Sequence, residues 1–221
     1  QTQVPVLQID DEWRNDSTPL ALWLDELFPA QPLFGRNAQE RELILNVDKW
    51  VTDSLILNSF RYAREGEMTA RFRQTAWRLS AIVSSQTPLS DEVRNVWPEL
   101  LKMAPFIKHM LCDIDQTESL PDMQLRVGME LLEHLKEGPF FGGLEQPSLV
   151  DFAIFPQLVF NHMVGIEQDL KIAEIPSVKQ WLNNIRQHLP ENPLLVPDFM
   201  IVSQLPHAEI EPQPHLQVAS V

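Results

Sequence analysis

Three short patterns place polar side chains where they could do chemistry. Asp16-Ser17 stand directly ahead of a run in which Leu20, Trp23, Leu24 and Leu27 recur at helical spacing. The first turn of a helix carries N–H groups with no internal partner, so it can hold an anion, and a Ser hydroxyl adds one more donor. The same residue types also serve simply as caps. The two uses are compatible, because both draw on the same unsatisfied donors. Pro5 opens a short strand behind Val4, an ordinary place for a proline that lacks a ladder donor. Ser148 and Asp151 have the spacing of a capping box, in which the hydroxyl and the carboxylate satisfy each other's backbone N–H groups. That pair is structural and fixes where a buried helix begins.

The remaining reactive side chains form no constellation. Tyr62 is the single tyrosine and lies on a helical stretch. Cys112 is the single cysteine, which excludes an internal disulfide and a Cys-rich zinc site and reads as a buried, inert thiol. The six His show no metal-like pair at helical spacing, so no metal is expected. No Ser-His-Asp arrangement or Gly-rich phosphate loop is legible. The Trp residues lie on apolar stripes and read as core.

These groups must be positioned by a chain of 221 residues, 44% hydrophobic, with a formal net charge of −14. Such a charge disfavours nucleic acid and anionic membrane surfaces, which need clustered Lys and Arg. No apolar run reaches the length of a membrane span. The N-terminus, Gln1-Thr-Gln-Val-Pro-Val-Leu, lacks a signal-peptide pattern and an initiator Met. A reducing, cytoplasmic setting is expected, as is a start within a longer protein.

Val4 to Ile9 reads as a strand, Asp10-Asp11-Glu12 as a turn and Trp13-Arg14 as a second strand. The helix after Asp16-Ser17, with Pro19 in its first turn, stops at Pro29 and Pro32. Asn37 and Glu40 form a further capping pair, followed by Leu43, Val47, Trp50, Ser54 and Leu57 on one long helix. Arg71 to Val83 and Ser90 to Met110 are helical candidates, the second broken or kinked by Pro98 and Pro105. Leu120, Met123, Val127, Leu131 and Leu135 form a stripe that ends at Gly138-Pro139. Leu149, Phe152, Ala153, Pro156, Val159, Phe160 and Met163 mark the next helix. Val178, Trp181, Leu182, Ile185 and Leu189 mark the last. The expected organisation is a strand–strand–helix piece at 1–30, a linker at 31–36, an all-helical domain at 37–190 and a Pro-rich arm at 191–221. One strand pair and one helix bury little alone, so the first piece reads as incomplete.

Three stretches together resemble the soluble glutathione transferase superfamily. They are Val4-Pro5-Val6-Leu7 with Asp16-Ser17 and Leu20 to Pro29; the helix from Asn37 through Trp50; and Phe140-Phe-Gly-Gly through Ser148-Leu-Val-Asp151 to Pro156. They run in the family's order from residue 4 to about 190. The resemblance implies a mostly α protein, with a partial thioredoxin-like α/β N-terminal piece followed by the all-helical transferase domain. The chain departs from the family at Pro147, where an aliphatic residue usually precedes the capping Ser. The stretch 86–121 is also longer than family members commonly need.

The resemblance implies that Pro5 is cis and exposes the Val4 backbone to the cysteinyl unit of glutathione. It implies that Asp16 and Ser17 hold the γ-glutamyl end, whose carboxylate meets the helix and whose ammonium meets Asp16. Glutathione would be the co-substrate, its thiolate attacking an apolar electrophile lodged against the long helix around Leu57 to Tyr62. A homodimer is implied as well. The family's thiol-activating Ser, Tyr or Cys belongs to a region that would precede Gln1, so the catalytic residue is unknown and this chain is expected to bind glutathione poorly and turn over little. The alternative is a non-catalytic, transferase-like scaffold or binding protein.

Overall fold

The computed structural model describes residues 5–30, 32–65, 90–92, 117–163 and 171–189. Val4, Cys112, the helical candidates at 71–83 and most of 90–110, and the arm at 191–221 lie outside these residues.

Two strands, β1 (Val6–Ile9) and β2 (Glu12–Asn15), pair antiparallel around the Asp10-Asp11 turn, with Val6 opposite Asn15 and Ile9 opposite Glu12. Asp10 takes a positive φ of 52°, which Asp tolerates better than most residues in a tight turn. One face of the hairpin meets helix α1 (Ser17–Leu27), where Trp23 and Ala21 are buried. Arg14 lies over the Trp23 ring, 5.1 Å from its centroid. Two sequence expectations fail here. Trp13 is 60% exposed and is not core, and Leu27 at 46% lies off the buried stripe. α1 also meets the helices that follow, with Ala21 in their common core and the Thr18 hydroxyl bonded to Asp48.

The chain leaves α1 through a connection held by Asp25. Its carboxylate accepts from the Leu33 N–H and, at 3.2 Å, from the Phe34 N–H. Phe34 is buried at 1% exposure. The long helix then runs as α2 (Ala38–Trp50), a π-helical segment (Val51–Ile56) and α3 (Leu57–Glu65). Its start is as read from the sequence. Asn37 Oδ1 accepts from the Glu40 N–H at 2.9 Å, and Glu40 Oε2 accepts from the Arg36 N–H at 2.7 Å.

Helix α4 (Leu120–Leu135) presents Met123, Val127, Leu131 and Leu135 to the core, all at most 3% exposed. The Ser119 hydroxyl accepts from the Asp122 N–H at its start. Helix α5 (Leu149–Met163) is apolar on most sides and sits centrally between α2 and α6 (Pro176–Arg186). Its deepest side chains are Val150, Asp151, Ile154, Phe155, Val159 and His162. Of the residues expected on its stripe, Leu149, Phe152, Ala153 and Phe160 are only half-buried. A helix packed on several faces has no single stripe, so periodicity alone does not select the innermost positions. In α6, Val178, Trp181, Leu182 and Ile185 are all buried as expected. The described residues are therefore mostly helical, with one two-stranded sheet.

Candidate functional site

The hairpin register brings the N-terminal site residues together. Beyond the Val6–Asn15 pair, the Asp16 N–H donates to the Pro5 carbonyl at 3.1 Å. Asp16 then starts α1 through its backbone, its carbonyl accepting from the Leu20 N–H at 3.1 Å. Its conformation is unusual for a residue with a side chain, φ 72° and ψ 139°. Such a geometry costs of order 1–3 kcal/mol and persists only where the surroundings enforce it. The expected side-chain cap is missing: no Asp16 side-chain oxygen caps α1. The residue therefore caps by its backbone carbonyl and not by its carboxylate. Ser17 is the first helical residue and is exposed.

A second carboxylate closes this corner, and sequence reasoning missed it. Asp48, on α2, accepts from the Thr18 hydroxyl at 2.8 Å. Burial pushes its carboxyl above the ordinary range; the Thr18 bond pulls it down and the nearby Asp16 charge pushes it up again. Asp48 thus feels the Asp16 charge across the α1 start. No local spacing connects residues 30 apart, so this pairing had no signature in the chain. The arrangement offers first-turn N–H groups beside two acidic side chains, a match for a ligand end carrying both a negative and a positive group.

The wall expected for an apolar co-substrate is differently built. Leu57, Asn58 and Arg61 are buried. Arg61 donates to the Glu118 carbonyl at 2.7 Å and lies 3.5 Å from the Met123 sulfur. This face of α3 is taken up by α4, and Tyr62 is half-buried at its side.

Ser148 and Asp151 form the second predicted pair, with one half of the box altered. Asp151 Oδ2 accepts from the Ser148 N–H at 2.8 Å, as the spacing predicts. The Ser148 hydroxyl does not accept from the Asp151 N–H; it donates to Asp151 Oδ2 at 3.1 Å, and the Asp151 N–H bonds the Ser148 carbonyl instead. Oδ1 accepts from the Phe141 N–H at 3.0 Å and from Trp181 Nε1 at 2.8 Å. The carboxylate is fully buried and takes four donors. Burial still dominates and raises its pKa, against the lowering effect of the donors. A group so enclosed is a structural node with no access for substrate.

Among the described residues, no group of three or more His, Cys, Asp or Glu is placed to hold a metal ion, and no helix is long and apolar enough to cross a membrane. Comparisons of the chain with protein-family models, with curated proteins and with solved structures found no match.

Proposed function

We propose that this chain is part of a glutathione transferase, with residues 1–30 as the second half of a thioredoxin-like domain. In this reading Val4, Pro5, Asp16 and Ser17 bind glutathione, and a homodimer in the cytoplasm transfers its thiolate to an apolar electrophile. The observation that carries the reading is the corner where Pro5 and Asp16 are joined at 3.1 Å, with Asp16 in a strained conformation at the α1 start. The γ-glutamyl end of glutathione has a carboxylate for the N–H groups of α1 and an ammonium for Asp16, with Asp48 behind it. Strain kept at such a point is a pointer to binding.

The alternative is a non-catalytic scaffold of the same architecture. It is favoured by one observation: the Thr18 hydroxyl beside this corner is already donated to Asp48, so it is committed to joining α1 to α2. Retention on immobilised glutathione tests the binding site. The native chain is expected to be weakly retained and the Asp16→Ala, Ser17→Ala double variant to elute earlier. Equal elution of the two removes the assigned site. Little conjugation of a standard electrophile is expected of this chain in either reading, and robust turnover would rule out the scaffold.

A further inference from the structure

We draw no further inference here: the strongest candidate, the outward face of the β1–β2 hairpin on which Val6 and Trp13 stand 50% and 60% exposed, carries nothing because nothing in the structure shows what covers it.

Discussion

The indole N–H of Trp181, on α6, donates to Oδ1 of Asp151 at the start of α5, 2.8 Å away. The same oxygen holds the Phe141 N–H, and the Phe141 ring meets the Trp181 ring edge-on with centroids 5.0 Å apart. One carboxylate therefore ties together a helix start, the turn before it and the last described helix.

Asp151→Ala is expected to strip two buried backbone N–H groups and the indole N–H of their acceptor. The loss should be roughly 2–4 kcal/mol of stability, read as a lowered urea midpoint. Trp181→Phe removes one donor and some volume, and should cost about 1–3 kcal/mol. The two together should cost clearly less than their sum, because they share one interaction.

Stability should respond to pH in two opposite senses. Burial raises the folded Asp151 carboxyl above its ordinary 3.8, so the native state binds that proton more tightly than the unfolded chain. Its contribution to stability therefore falls as pH rises from 3.8 through the folded value. His134 runs the other way. Its ring meets that of Trp50 at a tilt of 55° with centroids 4.6 Å apart, and burial lowers its pKa from 6.5. Stability is lost as pH falls from 6.5 through that lower value, because the unfolded chain takes up the proton first. Denaturant titrations from pH 4 to 8 should show the low-pH slope flattened in Asp151→Asn and the slope below 6.5 flattened in His134→Gln.

Asp16→Gly should separate stability from binding. Glycine adopts the positive φ without the steric cost, so the variant should gain roughly 1 kcal/mol net of its greater unfolded-state freedom. If the carboxylate meets the glutathione ammonium, the same variant should be retained less well on immobilised glutathione. A melting curve and a retention profile on one preparation check both halves.

Gly142 is held at φ 75°, and a Cβ there would come 2.6 Å from Leu43 Cδ2 on α2. Gly142→Ala should lower stability by about 1–3 kcal/mol, through strain and the forced shift of Leu43. Shortening Leu43 to Ala in the same chain should recover part of the loss, as measured by thermal melting.

What was legible in the sequence was local. The Asn37–Glu40 cap and the α4 stripe follow from spacings of three and four residues, and they stand as read. The Ser148–Asp151 spacing located a helix start, but Trp181 as partner had no signal, since 30 residues separate the two. The π segment was invisible: the helix was read on Leu43, Val47, Trp50, Ser54 and Leu57, whereas Val51 and Leu55 are the buried positions within the segment and Trp50 and Ser54 are half-buried. Pro5 and Asp16 were singled out separately. Their contact follows from the hairpin register, which continues one pair beyond Val6 and Asn15. Asp48 was hidden among the polar residues of α2 and becomes notable only once Thr18 is beside it.

The connection between the two parts of the chain is bonded on both sides. Asp25 on α1 holds the Leu33 and Phe34 N–H groups, and the Leu33 carbonyl accepts from the Leu149 N–H at 3.0 Å, the first residue of α5. Swinging α1 away from the helices would break these bonds and expose Phe34 together. The Leu33 and Leu149 amides should thus exchange with deuterium at one shared rate, and that rate should match the slowest amides of the bundle. The connection behaves as a rivet, and α1 is expected to show no melting transition of its own.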